Sequence, residues 1–155
     1  MNGGSIRIAA VRDSSVLQEI DVMKWPRARQ QNAEAFAGRT VRWKRVMTDI
    51  LYGPRMSSAS IWCYGASTKG GVLLQYLRAD DLLLAVADRN PKKKGKLMAG
   101  TWLPVTDEAE MRRARPNVLL VLPWAFREEF VEREKELRDA GTVMMFPLPN
   151  PEFVL

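Results

Sequence analysis

The 155-residue sequence predicts an α/β fold with a mostly parallel sheet, on three observations. From residue 60 onward, short and nearly continuous apolar runs alternate with runs of helical period, the pattern of strands buried on both faces. The first such run, Ile61–Tyr64, passes through a glycine-bounded loop directly into a helical pattern. The second, Leu83–Ala87, ends on an acid, Asp88. A βαβαβαβ order of this kind implies right-handed crossovers. The predicted class is a Rossmann-like three-layer domain, preceded by N-terminal helices.

The elements are expected in the following order. Residues 6–11 could form a short strand. Ser15 and Gln18 have capping-box spacing, and Val16, Ile20 and Met23 fall on one helical face before Trp25-Pro26 ends the run. A second helix is expected over 33–51, with Trp43, Val46, Met47, Ile50 and Leu51 as one apolar stripe that reads as core packing. Strands follow at Ile61–Tyr64, Leu83–Ala87, 118–122 and 142–146. Between them helices are expected over 70–77, 107–114 and 126–140. In the last, Phe126, Phe130 and Leu137 form the buried side, and Glu129 with Arg133 and Glu134 with Arg138 have favourable i,i+4 spacing. The whole chain, 1–155, reads as one domain, with a strand and helical segment over 1–57 and the core over 58–155.

Composition narrows the chemistry. There is no histidine and one cysteine, so the common general base and the usual zinc ligand set are both missing. Cys63 sits among Ile61, Trp62 and Tyr64, which suggests a buried strand thiol and a reducing, cytoplasmic setting. No window approaches the ~20 apolar residues of a membrane span. The net charge of +6 gathers in two stretches, 24–55 and Lys92 to Lys96, and favours an anionic partner over solvated helix faces no more than evenly. Aromatics are not interleaved with the basic residues on any nucleic-acid-binding pattern, so no nucleic-acid role is expected.

The candidate site lies at the carboxyl edge of the expected sheet, where open α/β folds bind ligands. Gly65, Ala66, Ser67, Thr68, Lys69 and Gly70 join the first strand to its helix. Gly65 allows a sharp turn, Ser67 and Thr68 can cap the helix, and Gly70 lets main-chain N–H groups approach an anion. The loop is neither G-x-G-x-x-G nor a Walker loop, and a merely tight turn remains the alternative. Asp88, with Arg89 and Asn90, stands either to meet ribose hydroxyls or to form a turn. After the third strand, Trp124, Phe126 and Arg127 offer aromatic faces and a guanidinium fork for a base, sugar or phosphate, or else they pack a seam.

Read together, Gly3-Gly4-Ser5 with Arg7, the run from Tyr64 to Gly70, Leu73-Leu74-Gln75, Ala87 to Pro91, Gly100-Thr101, Pro104, Arg115-Pro116, Leu120 to Trp124 and Phe146 to Pro149 resemble one family. It is the C-terminal domain of the S-adenosylmethionine-dependent C-methyltransferases that act on nucleotide-linked deoxysugars. The resemblance runs in order along essentially the whole chain. It implies a full enzyme with a zinc-binding domain, a methyltransferase domain and this Rossmann-like domain, the sugar nucleotide being held between the last two. The sequence departs from the family pattern at Gly71, where Asn is expected, at Trp102, and at Ala125, where His or Asn is expected.

The resemblance therefore implies a module that binds a nucleoside diphosphate sugar and positions it, with S-adenosylmethionine bound only in the complete enzyme and possible help from a separate methyltransferase domain or chain. No catalytic or metal-binding residue is assigned, and no methyl transfer is expected from these residues alone. A regulatory nucleotide or dinucleotide-binding module and a degenerate assembly domain are the alternatives.

Overall fold

The computed structural model describes residues 27–53, 56 and 58–155. The strand expected over 6–11 and the helix expected from Ser15 lie outside them. The chain divides into two units, residues 1–42 and 43–155. Helix α1 (Arg27–Leu51) begins at Arg27, earlier than its apolar stripe alone suggests. In the first unit its Thr40 hydroxyl donates to the Ala37 carbonyl at 2.8 Å.

The second unit holds the α/β fold. Its elements are β1 (Ile61–Tyr64), α2 (Thr68–Leu77), β2 (Leu83–Ala87), β3 (Val105–Thr106), α3 (Glu108–Ala114), β4 (Val118–Val121), α4 (Arg127–Arg133), α5 (Lys135–Asp139), β5 (Val143–Phe146) and β6 (Glu152–Val154). Among the described residues one sheet runs in the order β3-β2-β1-β4-β5-β6. All neighbours are parallel except β5 and β6, which pair antiparallel. The order reverses between β2 and β4, with β1 between them, so the topological switch point lies beside the carboxyl end of β1.

Alternate residues of each strand feed opposite faces of the sheet. Cys63, Leu120 and Met145 pack on one side with Met47, Leu51, Leu74 and Leu77. Tyr64, Leu119, Val121 and Met144 pack on the other with Met111, Phe130 and Leu137. The sheet is thus covered twice, which explains why its central strands read as continuous apolar runs. At this burial each large aliphatic or aromatic side chain contributes about 1.5–3 kcal/mol. Trp43 Nε1 donates to the Pro147 carbonyl at 2.6 Å and fixes the C-terminal part of α1 to the chain beyond β5.

Four expectations are corrected. Val46 does not join the buried stripe of α1; it is 40% exposed, because Met47 and Leu51 with Trp43 and Ile50 already fill the contact. The helix expected over 126–140 is a 3-10 turn at Trp124–Phe126 followed by α4 and α5, interrupted at Glu134. Phe126 is not on the buried side, since the turn holds it 56% exposed. The Glu134–Arg138 pair does not form. Glu134 is buried and takes Arg112 and Tyr64, whereas Arg138 donates to the Val131 and Leu155 carbonyls. A buried carboxylate must have its hydrogen bonds made inside the protein, and Arg112 and Tyr64 supply them there.

Candidate functional site

Gly65 ends β1 with φ +92°, a left-handed conformation, and a Cβ there would lie 2.5 Å from Pro123 Cγ. Only glycine permits that turn beside Pro123. Ser67 then caps α2, its hydroxyl accepting the Gly70 N–H at 3.1 Å. Gly70 is required for contact as well, because its Cβ would sit 2.9 Å from the Leu122 side chain.

Asp88 holds this loop from β2. Its Oδ2 accepts the Ala66 N–H at 2.8 Å and meets Lys93 Nζ at 2.8 Å, while Lys93 also donates to the Ala66 carbonyl at 2.8 Å. Its Oδ1 accepts the Asn90 N–H at 2.9 Å. Asp88 is therefore a turn former and a loop clamp at once. An ionised carboxylate has about four acceptor positions, so about one remains for a ligand hydroxyl. Lys93, part of a run that reads as solvated, is a structural cation.

A cleft of about 560 Å³ opens at the carboxyl ends of β1, β2 and β4. It is lined by Gly65, Ser67, Asp88, Arg89 and Asn90, which follow β1 and β2, and by Pro123, Phe126, Glu129 and Arg133, which follow β4. Tyr64 and Glu108 line it too. The Tyr64 hydroxyl donates to Glu134 Oε1 at 2.8 Å, and Arg112 grips both oxygens of Glu134 at 2.6 and 2.9 Å. Burial first, then hydrogen bonding to Glu108, pushes the Tyr64 phenol well above its usual range, so it stays protonated. Glu108 is ion-paired on both oxygens, Oε2 with Arg112 Nη2 at 3.1 Å and the buried Oε1 with Arg133 Nη1 at 3.6 Å. Arg133 is also paired with Glu129 and lies 5.0 Å from the Phe130 ring centre.

A second cleft, of about 270 Å³, lies across the loop and shares Ser67 with the first. Ala66, Thr68, Gly71, Lys93 and Lys96 are among its lining residues.

The fold thus brings most of the sequence-predicted residues to one sheet edge. Gly65, Asp88, Arg89, Asn90 and Phe126 line the larger cleft, Ala66 and Thr68 line the smaller, and Ser67 lines both. Lys69 is exposed and lines neither, and Gly70 is buried against Leu122. Trp124 packs partly buried against the core on the Phe130 side of the sheet. Arg127 is held by Glu152, its Nε 3.1 Å from each carboxylate oxygen, over the Phe146 ring. Tyr64, Glu108, Glu129 and Arg133 of the larger cleft were not singled out in the sequence. Glu129 and Arg133 were visible only as an i,i+4 pair, with nothing local to show that their side of α4 faces the loop after β1.

Residues 1–149 match the family described as the C-methyltransferase C-terminal domain. The chain is also 26% identical over 120 residues to the C-methyltransferase NovU of Streptomyces niveus, covering 77% of this chain and 29% of that protein. It therefore spans less than a third of the length of the relative it matches. With a match over nearly its full length, this chain belongs to the C-methyltransferase C-terminal domain family.

Proposed function

We propose that this chain is the substrate-holding module of a sugar C-methyltransferase, and that the larger cleft receives the nucleoside end of a nucleoside diphosphate sugar. The observation that carries this reading is an exposed aromatic, Phe126, lining one cleft at the switch point together with a glycine-built loop and an acid. A volume of about 560 Å³ falls in the range of ligand sites. Phe126 offers a face to a base, and Asp88 offers an acceptor to a hydroxyl or N–H group.

With about one acceptor position left on Asp88, the site suits a 2′-deoxyribose, which has a single free hydroxyl once its 5′ oxygen is esterified. The same limit fits the ribose diol of S-adenosylmethionine poorly. That donor, which supplies an electrophilic methyl on sulfur when bound, is assigned to the methyltransferase part of the complete enzyme. This chain contributes orientation: it fixes the nucleotide so that the attached sugar is presented to the methyltransferase part, which is catalysis by positioning.

Phe126→Ala tests the assignment cleanly, because an exposed side chain can be removed with little effect on stability. Titration calorimetry with thymidine diphosphate should show affinity falling about fivefold or more, from a stacking contact worth ~1–3 kcal/mol. Unchanged affinity would remove the nucleoside from this cleft.

A further inference from the structure

We infer that Arg89 is the anion-holding residue of the larger cleft, the side chain on which the diphosphate of the nucleotide ligand lies. This rests on the nucleotide reading above and deepens it by naming the group that distinguishes a nucleoside diphosphate from a free nucleoside. Five charged side chains line the cleft: Asp88, Arg89, Glu108, Glu129 and Arg133. Four of them are already ion-paired. Asp88 meets Lys93 at 2.8 Å, Glu108 takes Arg112 at 3.1 Å and Arg133 at 3.6 Å, and Arg133 is shared with Glu129. Arg89 is exposed and makes no ion pair or side-chain hydrogen bond among the described residues.

An anion entering the cleft has to meet a cation that is not already held. Arg133 cannot serve without giving up a carboxylate, because Arg112 and Arg133 together answer Glu108, Glu129 and Glu134. Lys93 is held by Asp88 and by the Ala66 carbonyl. Arg89 is the cation that remains. Its backbone is fixed although its side chain is not, since Asp88 Oδ1 accepts the Asn90 N–H at 2.9 Å and Asn90 Oδ1 accepts the Lys92 N–H at 3.0 Å. The guanidinium therefore leaves a constrained turn at the end of β2. Its planar fork of five N–H donors matches two phosphate oxygens at once. Neighbouring residues then divide the ligand between them, Asp88 accepting from a sugar hydroxyl and Arg89 donating to the diphosphate.

The test is titration calorimetry of the whole chain with thymidine, thymidine diphosphate and inorganic pyrophosphate. The unaltered chain should bind the diphosphate about tenfold or more tightly than thymidine, the gain expected of a charge-assisted, two-pronged contact. Arg89→Gln, at an exposed position where substitution costs little stability, should remove most of that preference and leave thymidine affinity unchanged. Lys92→Gln, three residues on, exposed and lining neither cleft, should change neither. Equal losses in Arg89→Gln and Lys92→Gln would overturn the assignment in favour of diffuse attraction. A diphosphate preference untouched by Arg89→Gln, with binding still weakened by Phe126→Ala, would overturn it and leave the nucleotide reading standing. Arg89-dependent binding of pyrophosphate with no binding of thymidine or its diphosphate would uphold Arg89 as the anion holder and refute the nucleotide reading. No binding of either phosphate compound would overturn the assignment outright.

Discussion

Asp88 and Lys93 meet at 2.8 Å and together hold both backbone polar groups of Ala66, the carboxylate accepting its N–H and the ammonium donating to its carbonyl. The loop after β1 is therefore fixed by an ion pair from the neighbouring strand end, and its shape does not depend on a ligand.

The two members of that clamp should differ in weight. Asp88→Ala leaves the part-buried Ala66 N–H without its acceptor, at about 1 kcal/mol or somewhat more, whereas water can replace it at the exposed Asn90 N–H. Lys93→Ala removes a side chain that is 37% exposed, so screening holds its cost to about 1 kcal/mol or less. Urea denaturation should rank Asp88→Ala as the more destabilising. The opposite rank would mean that the ammonium, not the carboxylate, anchors the loop.

The network beside the larger cleft should behave as a unit. Glu134 is 1% exposed but Arg112 is 39% exposed, so removing Glu134 strands a guanidinium that water can still reach, at less than the about 3–5 kcal/mol of a fully buried pair. Glu134→Ala should nonetheless cost more than Tyr64→Phe, which loses one hydrogen bond to a charged group at about 1.5–3 kcal/mol, because it removes that bond and both Arg112 contacts. In a double-mutant cycle the cost of Glu134→Ala should shrink when Arg112 is already Ala. Strict additivity would show that the two side chains act independently.

Stability should decline on the alkaline side. Burial pushes the Cys63 thiol well above its ordinary value of 9.0, and burial with hydrogen bonding to Glu108 does the same to Tyr64 above 10.0. The exposed Tyr52, which donates to Asp81, is pushed up to about 12. In each case the folded chain keeps a proton that the unfolded chain releases. The contribution is intact below about pH 9 and is lost as pH rises beyond it. Thermal melting between pH 7 and 11 should show a plateau and then a fall, and the native Cys63 should resist thiol reagents until the chain unfolds. A rise in melting temperature above pH 9 would contradict the buried assignments.

Much of this fold was legible because its central strands are covered on both faces, so Ile61–Tyr64 and Leu83–Ala87 carry their burial in local composition. β3 and β6 were not legible. Val105–Thr106 is two residues long, and Glu152–Val154 is an edge strand with two of its three residues exposed. Within the site, the glycine loop and Asp88 were readable because their backbone demands are local. The choice between ligand and partner was not. Whether Arg127 is free or held depends on Glu152, twenty-five residues away, and the destiny of Glu134 depends on Arg112 from another helix. Local spacing suggested Arg138 for Glu134, and burial chose otherwise.

On the proposed function, the switch-point cleft receives the nucleoside end of a deoxynucleoside diphosphate sugar and not a dinucleotide or the methyl donor. Thermal unfolding of the chain with each ligand at saturating concentration tests it most directly. A ligand that binds only the folded state adds about 2.7 kcal/mol at a hundred times its dissociation constant. At roughly 2–4 °C per kcal/mol or somewhat more, the shift is several degrees. Thymidine diphosphate or its sugar should give that shift, and S-adenosylmethionine and the nicotinamide dinucleotides, with their ribose diols, should give none. Stabilisation by a nicotinamide dinucleotide or by S-adenosylmethionine, with none from the thymidine nucleotides, would contradict it.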